Sequence, residues 1–138
     1  MKVECFLDTN VLVYATAGHS SEEDKRGRAL DLIETKDFGL SAQVLQEFHV
    51  TVTRKIESPM SAEESLEWIN QFQVFPCLAI DASLVKIAIE VSERFQISYW
   101  DGAIVASAQE LGARTLYSED LSSGQLYGEV RVLNPFQG

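Results

Sequence analysis

Short apolar runs that each give way to a helical period dominate this sequence, and that succession constrains the fold more than any other feature. Residues 3–7 are the first case: Val3, Cys5 and Leu7 alternate with Glu4 and Phe6, and both faces can be buried. Asp8 ends the run, and from Thr9 and Asn10 onward Val11, Leu12, Tyr14 and Ala15 share a helical face. Residues 38–41 form a second brief strand, with Ser41 placed to cap a helix that buries Val44, Leu45, Phe48 and Val52. Residues 73–76 read as a short strand, and 114–117 and 130–133 as the last two. The intervening helices carry recognisable starts and stops. Glu22, Glu23 and Asp24 favour the N-terminus of a helix over 20–35, whose apolar stripe is Ala29, Leu30 and Ile33. Ser61 and Glu64 form a capping box ahead of Trp68 and Ile69, and Asp81 caps a helix ending near Phe95. Ser98 opens another that runs to Gly112. Strands alternating with helices predict an α/β protein, three-layer α/β/α, with a four- to five-stranded, mainly parallel sheet.

At 138 residues, with no repeat or linker, residues 1–138 are expected to form a single domain. Lys2, the apolar residues behind it and the small residues at 15–17 imitate a signal peptide, but Glu4, Asp8 and Asn10 interrupt its supposed apolar core. No stretch approaches the ~18 apolar residues that a membrane helix needs. Cys5 and Cys77 lie in apolar runs without metal-ligand spacing, which suggests buried free thiols in a reducing cytoplasm. The net charge of −10 argues against loose, charge-driven binding of nucleic acid by the bare chain. It suits a chain whose acids are partly neutralised by divalent metal.

Four acids stand apart from the rest by position. Asp8 follows the first strand, at the edge where open α/β sheets place their ligands. Asp120 follows the strand that ends at Tyr117, Asp101 is the third residue after the Ser98 cap, and Glu47 borders the apolar face of its helix. Each has an ordinary explanation on its own, as a cap, a loop acid or a solvated helix residue. Their sequence contexts are more specific. FLDTNVLVY at 6–14, SAQVLQEF at 41–48, YWDGAIVASA at 99–108 and LYSEDL at 116–121 resemble, in order and spacing, the four acidic motifs of PIN-domain nucleases. The closest likeness is to the compact bacterial ribonuclease toxins of the VapC type, and it extends over residues 1–133.

That resemblance implies a single PIN domain in which Asp8, Glu47, Asp101 and Asp120 form a catalytic metal site. Thr9 and Ser118 then stand where the family often has a supporting hydroxyl. Glu119 beside Asp120 leaves open which acid of the fourth motif reaches the metal, with Asp120 favoured. Gly102 departs from the pattern, since a bulkier residue is frequent there, and it suggests a looser helix start. Hard oxygen ligands suit Mg²⁺ or Mn²⁺, and His19 and His49, read as a loop residue and a helix-surface residue, offer no zinc pattern. The implied reaction is hydrolysis of single-stranded RNA by a metal-activated water, leaving a 5′-phosphate and a 3′-hydroxyl.

RNA must be held despite the acidic chain. The basic residues available are the Lys25, Arg26 and Arg28 cluster and the pair Arg54 and Lys55. Arg54 lies seven residues, about two helical turns, beyond Glu47 and is expected on the same face. The family likeness further implies a cytoplasmic toxin, a cognate antitoxin covering a groove near the site, and a homodimer. Apolar residues near Trp68, Phe72 and Phe75, with the helix at 61–71, are available for that dimer. The alternatives are a stand-alone RNA-processing PIN nuclease and a catalytically silent PIN-fold interaction module. An aspartyl phosphatase of the haloacid-dehalogenase type needs a second aspartate where this chain has Asn10. A phospho-accepting receiver domain needs a late lysine, and none follows Lys86.

Overall fold

In the computed structural model, which describes residues 2–17 and 22–137, the chain begins on the strand that becomes the middle of the sheet. β1 (Cys5–Leu7) is flanked by β2 (Phe38–Ser41) and β4 (Thr115–Tyr117), both parallel to it. All three residues of β1 are buried, so helices must cover both faces of the sheet. The full order is β3-β2-β1-β4-β6-β5, where β3 is Cys77–Leu78, β5 Leu126–Tyr127 and β6 Val130–Leu133. Only the β5–β6 pair is antiparallel.

Among the described residues, six α-helices complete an α/β/α arrangement: α1 (Thr9–Ala17), α2 (Glu23–Thr35), α3 (Ala42–Val50), α4 (Ala62–Phe72), α5 (Ala82–Phe95) and α6 (Tyr99–Glu110). α6 lies against β2, β4 and β6 with α5 packed along it, while α1 packs against α2 and α3. The central helix α6 is apolar nearly all round, and Gly102 to Ala108 are buried without a break. The expected caps are in place. Ser41, Asp81 and Ser98 accept from the backbone N–H three residues on, and Ser61 and Glu64 make both halves of their capping box. Gly112 stops α6 with a left-handed φ of +73°.

The described residues form six strands, one more than the upper expectation, and the addition is β5, whose pairing has no sequence period. β5 is a two-residue partner of β6 across a hairpin. The edge strand expected at 73–76 forms instead at Cys77–Leu78, because residues 73–75 turn back on the end of α4 and the Phe75 N–H donates to the Phe72 carbonyl. On that edge Cys77 is exposed, contrary to the expected buried thiol, whereas Cys5 is buried. His49 does not stand free on a helix surface: its Nδ1 lies 2.8 Å from the hydroxyl of the buried Ser65 and ties α3 to α4. His19 and the start expected for α2 at Ser20 lie outside the described residues. The aromatics set aside for a dimer are used within the chain. Phe72 meets Phe48 edge-on and Trp68 by stacking, and Phe75 packs on Phe38.

Past α3 the chain widens into a π-helical turn, Thr51–Lys55. A π turn takes up more residues than an α turn, so positions beyond it lose the 3.6-residue phase. Lys55, not Arg54, therefore joins Glu47 in lining the cleft described next, and Arg54 is exposed outside it.

Candidate active site

The carboxyl ends of β1, β2 and β4 meet at one edge of the sheet, and the four selected acids come from the segments that leave those strands or cap α6. Asp8 follows β1 directly and is only 5% exposed. Its Oδ1 accepts from the Thr9 N–H at 2.7 Å, and its Oδ2 accepts from the Ser118 hydroxyl at 2.7 Å. Thr9, at the start of α1, donates its own hydroxyl to Glu47 Oε1 at 2.8 Å. The other Glu47 oxygen accepts from Gln43 Nε2 at 3.1 Å, one turn back on α3. The same amide reaches the Trp100 carbonyl at 3.2 Å, so Gln43 links the α3 acid to the first turn of α6, where Asp101 sits. Asp120 is exposed; its Oδ2 accepts from Asn10 Nδ2 at 3.1 Å, and its N–H donates to Ser118 Oγ.

The charges converge although the side chains do not touch. Burial pushes the Asp8 carboxyl up to about 6, with Asp120 and Glu47 adding repulsion and the bonds from Ser118 and Thr9 opposing it. Asp101 is also raised, first by burial and then by the same two neighbours, Asp120 and Glu47. Glu47 and Asp120, with Thr9 and Asn10, line a cleft of about 710 Å³ whose remaining wall includes Val13, Val50 and Ile56.

Among the described residues, no three His, Cys, Asp or Glu side chains meet closely enough to hold one ion between them. A hard divalent cation does not require that, since Mg²⁺ keeps several waters and takes only one or two carboxylates directly. The structure offers a further sign that a cation fits. Asn10 Oδ1 is buried and has no hydrogen-bond partner among the described residues, a lone carbonyl oxygen beside the carboxylate that its own amide holds. Carboxylate and amide oxygens together make a donor set suited to Mg²⁺ or Mn²⁺.

Sequence reasoning singled out Asp8, Thr9, Glu47, Asp101, Ser118 and Asp120. The structure joins Asp8 to Asp120 through Ser118 and to Glu47 through Thr9, while Asp101, bonded through its N–H to Ser98, stands outside the cleft lining. Sequence reasoning missed Asn10 and Gln43 as the amides that fix Asp120 and Glu47. The spacing of Gln43 four residues ahead of Glu47 was a usable signal. Of the basic residues considered, Lys55 lines the cleft, while Arg26, exposed on α2, and Arg54 do not.

The PIN domain family matches residues 5–124 of this chain. None of the curated proteins matches it. Among solved structures, a toxin–antitoxin complex from Klebsiella pneumoniae is similar at a TM-score of 0.71 and 15% identity, covering 96% of this chain and 98% of the other. VapC20 of Mycobacterium tuberculosis, a toxin that cleaves the sarcin–ricin loop, is similar at a TM-score of 0.69 and 23% identity, covering 93% and 99%. VapBC2 of Rickettsia felis bound to a promoter DNA fragment is similar at a TM-score of 0.60 and 17% identity, covering 93% and 96%.

Proposed function

The chain belongs to the PIN domain family, and from that premise we propose that it is a single-domain, metal-dependent endoribonuclease cutting single-stranded RNA, the toxin of a type II toxin–antitoxin pair. The observation that carries this reading is the bonded arrangement at the carboxyl ends of β1, β2 and β4: Ser118 joins Asp8 to the Asp120 backbone, Thr9 joins Asp8 to Glu47, and Gln43 links Glu47 to the turn that bears Asp101. An enclosed acid at the end of a central strand, with three more around it, makes the metal-free fold less stable, and a cation relieves that repulsion. Asp8, Glu47, Asp101 and Asp120 are the residues that would hold Mg²⁺ or Mn²⁺, directly or through water. Such an ion, when bound, makes a water more acidic and offsets charge on the attacked phosphate. The protein's own groups orient the donors: Thr9 and Gln43 aim Glu47, Ser118 aims Asp8, and Asn10 aims Asp120.

Lys55 is the cationic contact for RNA within the cleft, and the apolar wall of Val13, Val50 and Ile56 can take an antitoxin segment. The toxin reading is supported by the similar folds, two of which were solved as toxin–antitoxin pairs. No helix among the described residues is long and apolar enough to cross a membrane, and we place the protein with its RNA in the cytoplasm. The reading includes a homodimer. With Trp68, Phe72 and Phe75 packed within the chain, exposed Leu66 in the middle of α4 and Val74 just beyond its end remain for that contact. Light scattering at high micromolar concentration is expected to give twice the 15.4 kDa chain mass; a monomer mass would remove the dimer.

The activity is tested with purified wild type and Asp101→Asn on single-stranded RNA in Mn²⁺, mapping the 5′ ends of the products. Wild type should leave 5′-phosphates, and the variant should be slower by about a hundredfold or more. Equal cleavage by both proteins would remove Asp101 from the site and the metal mechanism with it.

A further inference from the structure

Glu119 and Asp120 are adjacent acids on one loop, yet they have opposite fates. Asp120 is turned toward Asn10, and its charge reaches both Asp8 and Asp101. Glu119 is held by a different set. The Tyr14 hydroxyl donates to its Oε1 at 2.8 Å, and Lys25 Nζ donates to its Oε2 at 3.2 Å and to the Tyr14 oxygen at 3.1 Å. The lysine is itself seated over two rings, 4.7 Å from the centroid of Tyr14 and 5.7 Å from that of Phe136. Those rings meet edge-on at 4.8 Å. Tyr14 from α1 and Lys25 from α2 thus close on Glu119, and Phe136, near the end of the described chain, packs against both of them.

The energetic logic favours more than scaffolding. Charge-assisted bonds to both carboxylate oxygens leave Glu119 paired, although it lines the same cleft as Glu47 and Asp120. Without its cation, this carboxylate would stand unneutralised on the wall of an already acidic cleft, one residue from Asp120. A fifth oxygen ligand is then free to compete for whatever cation the cluster draws.

We propose that Lys25, acting with Tyr14, is a positioning residue: it holds Glu119 aside, so that of the two neighbouring acids only Asp120 serves the cluster. This inference rests on the reading of the cluster as a divalent-cation site. Neither residue touches a reacting atom, so the test must separate positioning from simple support of the fold.

Lys25→Met keeps the packing on Tyr14 and Phe136 but removes the charge. Mn²⁺ is titrated into wild type, Lys25→Met, Glu119→Gln and the double variant without RNA, and the free ion is read by its paramagnetic resonance signal. Lys25→Met should bind Mn²⁺ about three- to tenfold more tightly, as one added carboxylate near a cation predicts, yet cut RNA more slowly. Adding Glu119→Gln should return both the affinity and the cleavage toward those of Glu119→Gln alone. Tyr14→Phe, which keeps the ring and loses the hydroxyl, should shift affinity in the same direction by less. A purely structural lysine would leave the double variant as impaired as the single one, and that result overturns the proposal. So does an unchanged Mn²⁺ affinity in Lys25→Met. If the affinities behave as expected and wild type cuts no RNA, the positioning role stands and the ribonuclease reading fails. If wild type binds no Mn²⁺, both fall.

Discussion

Asp8→Asn should melt at a higher temperature than wild type in EDTA at pH 7.5, while cleaving RNA at least about a hundredfold more slowly. The first half follows from proton linkage. Asp8 has a folded-state pKa of about 6 against an ordinary value of 3.8. Below the ordinary value the carboxyl is protonated in both states and imposes no penalty. Between the two values the folded chain keeps the proton that the unfolded chain has released, so stability falls as pH rises. Above about 6 the loss is complete. At roughly 1.4 kcal/mol per pKa unit the loss is on the order of 3 kcal/mol, or up to about 10 °C for a domain of this size. Asparagine avoids it and keeps the local bonding. Its oxygen can accept from the Thr9 N–H, and its amide can donate to Ser118 Oγ once that hydroxyl rotates. Melting curves of both proteins in EDTA should therefore meet near pH 4 and separate by pH 7, with exposed Glu110→Gln tracking wild type throughout. Mn²⁺ at about 100 times its dissociation constant should add roughly 2.7 kcal/mol to wild type and far less to the variant. Curves that stay parallel from pH 4 to 8 would show that Asp8 carries no such strain.

Gly102→Ala should destabilise the protein by about 1–3 kcal/mol, while Gly27→Ala should stabilise it by about 0.5–1 kcal/mol. Both glycines lie inside helices, where alanine is intrinsically preferred. Their surroundings reverse the sign. A Cβ on Gly27 meets nothing within 4 Å. A Cβ on Gly102 would stand 2.8 Å from the Ala88 carbonyl oxygen and 2.8 Å from the Ser92 Cβ, so α5 and α6 would have to separate. The close approach of these two helices fixes the backbone that carries Asp101, and cleavage should fall together with stability. Thermal melts of the two single variants beside wild type check both signs. A more stable Gly102→Ala would mean that the helices have room to spare.

Gly102 also shows where reading the chain alone fails. Seen locally it is a weak helix former after an acid, and a loosened start to α6 is the natural expectation. In three dimensions the start is firmly capped by Ser98, and the absent side chain makes room for a neighbouring helix. The four caps at Ser41, Ser61, Asp81 and Ser98 were legible because a cap and its partner lie within three residues. The strand–helix alternation was legible because burial on two faces leaves continuous apolar runs. What stayed hidden depends on distance or phase. β5 is two residues long, too short for any period, and the equally short β3 starts four residues later than expected. The π turn carries no compositional mark and displaced Arg54 in favour of Lys55. The cluster of Tyr14, Lys25, Glu119 and Phe136 joins positions that no spacing rule connects. For the acids, the sequence supplied four separate candidates. Their shared electrostatics appeared only once β1, β2 and β4 were laid side by side.

That arrangement has a consequence for the order of events during synthesis. β1 emerges first, but one of its two neighbours is β4, and the Ser118 hydroxyl that steadies Asp8 lies 110 residues downstream. A growing chain can pair β1 with β2 and form α1 and α3, bringing Asp8 and Glu47 close, while its second sheet edge remains open. Contacts of such long sequence separation are slow to form. The site therefore cannot be complete on a partial chain: until residues 115–120 have left the ribosome, Asp8 lacks the Ser118 hydroxyl and the cleft lacks Glu119 and Asp120. The acid cluster is therefore assembled late relative to β1, and any chemistry it supports waits on the arrival of β4.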